Sequence, residues 1–122
     1  MKKLIYISGP ISADNIHDIY ANLRRFFRWE ALLLQKGYSP INPAADFFAL
    51  MMMGETKNAE EWYERLLGKD EPLVKRSDAL LMLKGWRNSK GALREYDWAK
   101  DALVPVFFAV ADLERGVPPD EK

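Results

Sequence analysis

The run Ala79-Leu80-Leu81-Met82-Leu83 is apolar without alternation, and it constrains the chain more than any other stretch. A strand that is hydrophobic on both faces must be covered on both faces, which is the situation of a parallel sheet between helices. The surrounding sequence fits that requirement. Leu4-Ile5-Tyr6-Ile7 is a short β-rich run stopped by Ser8-Gly9-Pro10; Tyr38–Ile41 is a weaker strand closed by Asn42-Pro43; Val104–Phe108 is a last one. Between the first two, apolar residues fall at helical spacing from about Asn15 to Lys36 (Ile16, Ile19, Leu23, Phe26, Phe27, Ala31, Leu34), and Gly37 supplies the stop. A second helical stretch begins at Ala59 and is expected to break at Pro72 before continuing towards Arg76. A third opens at Asn88 or Ser89. Strand and helix alternate, so the expected fold is α/β, a parallel sheet with helices on both faces. Ligands in such sheets bind beyond the carboxyl ends of the strands, which singles out the loops Ser8–Ala13 and Lys84–Gly91.

With 122 residues the chain is expected to form one domain over 1–113, followed by a polar, proline-rich tail over 114–122 that frays. Eighteen basic residues balance eighteen acidic ones without like-charge blocks, so no long-range field argues for polymeric nucleic acid. The absence of cysteine removes disulfides, thiolate nucleophiles and cysteine-based zinc sites, and fits a cytoplasmic setting. The single histidine, His17, leaves little room for histidine-rich metal or triad chemistry and is expected at the surface. No apolar stretch approaches the ~20 residues that span a bilayer, and the N-terminus runs straight into a strand without a signal-peptide pattern.

Chemistry is best sought around Glu95. On a helical wheel Ala92, Tyr96, Ala99 and Leu103 form an apolar stripe, while Arg94, Asp97, Lys100 and Asp101 form a solvated face. Glu95 belongs to neither, and its neighbours three and four residues away (Gly91, Ala92, Trp98, Ala99) offer no helical ion pair. It either reaches water or a partner across the fold, or it faces a ligand. Gly91 leaves open ground one turn ahead of it, and a cap at Asn88 or Ser89 would present free N–H groups to an anion. The first loop supplies a second wall, with Ser8, Gly9, Pro10, Ile11 and Ser12 as candidate substrate contacts together with Tyr6, whose place in a strand equally suits the core. Asp70 reads locally as a helix N-cap, with Pro72 in a first turn, and Asp78 as structural. Trp86 could stack on a base or simply pack. The apolar segment Phe47–Met53 belongs in the core or in a subunit interface, and a homodimer or larger homo-oligomer is expected to bury it.

Taken together, "YISGPIS" (Tyr6–Ser12), "INPA" (Ile41–Ala44), an aspartate (Asp70) eight residues ahead of the Asp78 of "SDALLMLKGW" (Ser77–Trp86), and "SKGALRE" (Ser89–Glu95) resemble the nucleoside 2-deoxyribosyltransferase-like superfamily. Within it, the chain resembles a small family of bacterial and phage proteins related to the deoxynucleoside monophosphate N-hydrolases. The resemblance implies a flavodoxin-like or Rossmann-like three-layer fold with four or five parallel strands. It also implies cleavage of an N-glycosidic bond in a deoxynucleoside or nucleotide, by hydrolysis or base transfer, without metal or organic cofactor. In that reading Glu95 is the nucleophile, Asp70 the proton donor to the base, and Ser89 and Gly91 phosphate or sugar ligands. The first loop departs from the related hydrolases, carrying Pro10 and Ser12 and no arginine for a phosphate. A non-catalytic module for a nucleotide or NAD-derived ligand, and a hydrolase of NAD-like molecules, use the same residues.

Overall fold

The computed structural model describes residues 2–47 and 59–119, with the backbone alone over 59–67. The chain runs β1 (Leu4–Ser8), α1 (Ile16–Gln35), β2 (Ser39–Ile41), α2 (Ala59–Arg76), β3 (Ala79–Met82), a 3₁₀ turn (Trp86–Asn88), α3 (Lys90–Asp101), β4 (Val106–Phe107) and α4 (Val110–Gly116). Among the described residues the strands form one four-stranded sheet in the order β2-β1-β3-β4, every neighbouring pair parallel. The chain leaves β1 for one edge and returns to the other side of it, so the carboxyl ends of β1 and β3 flank the switch point where ligands of such sheets bind.

The two-residue period of a strand divides the core in two. Ile5, Ile7, Leu81 and Leu83 pack against Leu23, Phe26 and Leu33 of α1 and Leu113 of α4. Tyr6, Leu80 and Met82 pack against Val74 of α2 and Ala92 and Ala99 of α3. The unalternated apolar run of β3 is thus explained, since each of its faces carries a helical layer. Ser8, two residues beyond Tyr6, continues the face that looks towards α3.

Local chemistry sets the element ends. Asn15 caps α1, its Oδ1 accepting the Asp18 N–H at 2.8 Å. Gly37, at φ 95°, closes α1 in a Schellman motif, with Tyr38 N donating to Leu33 O and Gly37 N to Leu34 O. Asp78 ties β1 to the start of β3, its Oδ2 accepting the Leu4 N–H at 2.7 Å.

Three expectations are corrected. α2 does not break at Pro72 but runs through it to Arg76. Proline there deprives only the Gly68 carbonyl of its helical donor, and Gly68 is exposed, so water can replace it. Asp70 is therefore inside a helix and caps nothing. Leu103 is not on the buried stripe of α3: it is the left-handed residue (φ 60°) of a second Schellman motif and is 91% exposed. The tail does not fray from Glu114, because α4 continues to Gly116, Leu113 is fully buried and the Tyr38 hydroxyl donates to the Val117 carbonyl at 2.7 Å. The segment Phe47–Met53 lies outside the described residues except for Phe47, which packs against the α1 side of the core. His17 is exposed, as expected.

Candidate active site

Glu95 is brought to the sheet by the period of α3. The buried residues of that helix are Ala92, Glu95 and Ala99, so the carboxylate occupies the middle of the inward strip and not its edge. Opposite it stand the two hydroxyls that β1 aims at this face. Tyr6 Oη donates to Glu95 Oε2 at 2.7 Å and Ser8 Oγ donates to Oε1 at 2.6 Å. Each carboxylate oxygen therefore receives one short bond from an ionisation-favouring donor. Tyr6 and Ser8 are themselves fully buried. Their hydroxyls hold Glu95 from the β1 side.

Asp70 approaches from α2 and is 6% exposed, as is Glu95. Burial raises the pKa of Glu95 from its ordinary 4.5 to about 7; the hydroxyls of Ser8 and Tyr6 oppose that rise and the charge of Asp70 adds to it. Burial likewise raises Asp70 from 3.8 to about 7, and the charge of Asp46 pushes the same way, while Lys69 and the Tyr6 hydroxyl act against it. Tyr6 itself is held well above its usual range by burial and by the charges of Glu95 and Asp70. Two carboxyls that interact in this way near neutrality titrate as a pair. Two hydroxyl donors favour the charge on Glu95, whereas at Asp70 the Asp46 charge favours the proton and Lys69 and the Tyr6 hydroxyl favour the charge.

Asp46 escaped the sequence reading. It follows the carboxyl end of β2, and its Oδ1 bonds Lys69 Nζ at 2.8 Å, next to Asp70 in the chain. Its only sequence signal is that position, the same one that picks out the loops after β1 and β3.

The first loop forms a wall at the switch point. Gly9 is buried, and a Cβ there would stand 2.9 Å from Leu83 Cβ, so only glycine allows β1 and β3 this approach. Pro10 and Ile11 are half-buried, and the Ile11 carbonyl accepts from Asn22 Nδ2 at 3.1 Å. Ser12 is exposed at the end of the loop. On the other side Ser89 caps α3, its Oγ accepting the Ala92 N–H at 3.1 Å and keeping its own O–H as a donor. Gly91 is the second residue of α3, one turn ahead of Glu95. The structure thus joins Tyr6, Ser8, Asp70 and Glu95 in one cluster and sets Gly9, Pro10, Ile11, Ser89 and Gly91 at the carboxyl ends of β1 and β3. Among the described residues no three His, Cys, Asp or Glu side chains come together as a metal site, and no helix is long and apolar enough to cross a membrane.

A family model described as "Domain of unknown function (DUF4406)" matches residues 3–108. No curated protein sequence matches the chain. The matched span covers the whole cluster, from Tyr6 on β1 to Glu95 on α3, together with all four strands, and it leaves out α4. The chain belongs to the DUF4406 family.

Proposed function

We propose that the protein cleaves the N-glycosidic bond of a nucleoside or nucleoside monophosphate, by hydrolysis or base transfer, with Glu95 as nucleophile and Asp70 as general acid. One observation carries this reading: two buried carboxyls share a site near neutrality, one fitted with hydroxyl donors and the other set beside a further negative charge. Such a pair keeps one member ionised and the other protonated at the same pH, which is what an attacking carboxylate and a proton donor need. Glu95 attacks the anomeric carbon as the carbon–nitrogen bond breaks. The bonding pair leaves with the base, which takes the Asp70 proton. Water then gives a proton to the Asp70 carboxylate and displaces Glu95 from the sugar, or a second base does so in transfer. Both steps invert the anomeric centre, so the product retains configuration. The resemblance of "SKGALRE" and "YISGPIS" to the deoxyribosyltransferase-like superfamily supports the same assignment. The capped N-terminus of α3, with Ser89 and Gly91, suits a phosphate or a sugar. Assembly into a homodimer or larger is part of the proposal, supported by Ile16, Tyr20 and Leu34, exposed along one face of α1.

The test is trapping. A 2-deoxy-2-fluoro nucleoside or its monophosphate should add its sugar mass to Glu95, read by intact-protein and peptide mass spectrometry, while free base appears by chromatography. Asp70→Asn should cripple release of ordinary bases and largely spare a sugar carrying 4-nitrophenol, which departs without a proton. Binding of these compounds with neither adduct nor base release would make the protein a binding module.

A further inference from the structure

A concavity lies at the carboxyl end of β3, beside Phe108, which directly follows β4. It measures about 460 Å³, and Met82, Lys84, Trp86, Arg87, Asn88 and Phe108 line it. None of the residues assigned to the Glu95 cluster is among them. Its size is that of a small-ligand pocket, for which ~300–1,000 Å³ is usual.

Its chemistry is uneven in a useful way. The chain has equal numbers of basic and acidic residues, yet this lining carries two cations and no carboxylate. The Arg87 guanidinium lies 5.3 Å from the centre of the Trp86 ring. Placed there, its planar fork suits two oxygens of one phosphate, with Lys84 as a further point charge. The apolar side is aromatic. Trp86 stacks on Tyr96 at 5.0 Å and 25°, and Phe108 continues the row at 5.6 Å and 32° from Trp86. Phe108, directly after β4, remains 55% exposed, so a flat face stands open at the end of the row. Asn88 supplies one amide that can both donate and accept. Ring, anion and hydrogen-bonding edge are thus each matched by a distinct side chain.

We propose that this cleft is a second ligand site, for a heteroaromatic ring carrying a phosphate, of mononucleotide size. The ring lies against Phe108 and the edge of Trp86, the phosphate meets Arg87 and Lys84, and Asn88 reads a polar edge. The site stands whether or not Glu95 is a nucleophile, because it shares no residue with that cluster. It adjoins it through Trp86 and Tyr96, the latter being the residue after Glu95, so a ligand here bears on the segment that caps α3.

The test is a titration of the full chain followed by ¹⁵N–¹H NMR. The Trp86 indole N–H is identified by its loss in Trp86→Phe, and adenosine 5′-monophosphate, adenosine and ribose 5-phosphate serve as probes. The monophosphate should shift the Trp86 indole and the amides of Lys84–Asn88 and Phe108 saturably, and about tenfold or more tightly than either fragment, since a charge-assisted hydrogen bond and a ring contact each contribute about that much. Arg87→Ala should bring the monophosphate down to adenosine, and Phe108→Ser should bring it down to ribose 5-phosphate. Both replaced side chains are exposed, so the fold tolerates their loss. Glu95→Gln should leave these shifts and their midpoint unchanged, which separates this site from the other. The proposal is overturned if the monophosphate moves only resonances around Ser8 and Glu95, or if ribose 5-phosphate binds as tightly as the monophosphate. It is equally overturned if Arg87→Ala changes nothing.

Discussion

Replacing Glu95 by glutamine should make the protein more stable in alkali relative to wild type, by an amount that grows with pH. In the folded chain Glu95 keeps its proton up to about 7, against an ordinary 4.5. A group whose folded pKa is raised contributes its full stability below the unfolded value and loses it as pH climbs through the folded one. At ~1.4 kcal/mol per pH unit, the window between 4.5 and about 7 is worth roughly 3 kcal/mol. Solvent screening removes little of this, since Glu95 is 6% exposed. The glutamine amide has no proton to release, so the advantage of the variant should increase by roughly 3 kcal/mol between about pH 4 and about pH 8. Any mismatch between the amide and the Tyr6 and Ser8 hydroxyls shifts the whole curve equally and leaves the pH-dependent part intact. Urea denaturation of both proteins at closely spaced pH values reads the difference directly. Two parallel stability curves would mean that Glu95 titrates in the fold as it does in the unfolded chain, and the account of a buried, reluctantly charged carboxyl would be wrong.

Other consequences concern the same cluster and one site remote from it. Tyr6→Phe removes one of the two donors to Glu95, worth ~1.5–3 kcal/mol for a charged acceptor, so the carboxyl should titrate about one to two pH units higher. Carbon-13 titration of its resonance, assigned by its loss in Glu95→Gln, measures this, and an unmoved midpoint would dissolve the role given to the hydroxyl. Asp46→Asn withdraws a negative charge from Asp70 and frees Lys69 to act on it, so Asp70 should ionise at lower pH than about 7. The same spectroscopy, with Asp70→Asn as the assignment control, should find the Asp70 midpoint displaced downward; an upward displacement contradicts the argument. Leu103→Gly should stabilise the fold by about 1 kcal/mol, because a left-handed residue with a Cβ is strained and glycine is not. At 91% exposure the leucine has almost no packing to lose, and a lower urea midpoint in the variant would show otherwise.

Much of this architecture could be read from short-range pattern. The unalternated Ala79–Leu83 run announced a strand covered on both faces, and the span from Asn15 to Lys36, closed by Gly37, matched α1 to within a residue at each end. Glu95 stood out because its helical neighbours could not account for it, and the fold supplies the missing partners from β1, 87 and 89 residues away in sequence. Long-range pairing is also why Asp46 stayed hidden: its partner Lys69 is 23 residues distant, and no local motif connects them. The errors arose where a local rule was carried past its range. A helical wheel extends a stripe indefinitely, but α3 ends at Asp101 and turns left-handed at Leu103. Pro72 suggested a break, yet the residue four earlier is an exposed glycine whose carbonyl can turn to solvent. The seven residues of α4 are too few to display a helical period, and what fixes them is the burial of Leu113 in the core.

The contact between Gly9 and Leu83 gives this site a gauge. A methyl group at position 9 would have to occupy space 2.9 Å from the Leu83 Cβ, so β1 and β3 are spaced at their carboxyl ends by the bare thickness of a glycine. Ser8, the residue before it, is bonded to the same strand end through the Leu83 N–H at 2.7 Å and to Glu95 at 2.6 Å. Any side chain added at position 9 therefore acts as a shim. It widens the joint between two strands and draws the hydroxyl off the carboxylate, altering the protonation of a glutamate it never touches.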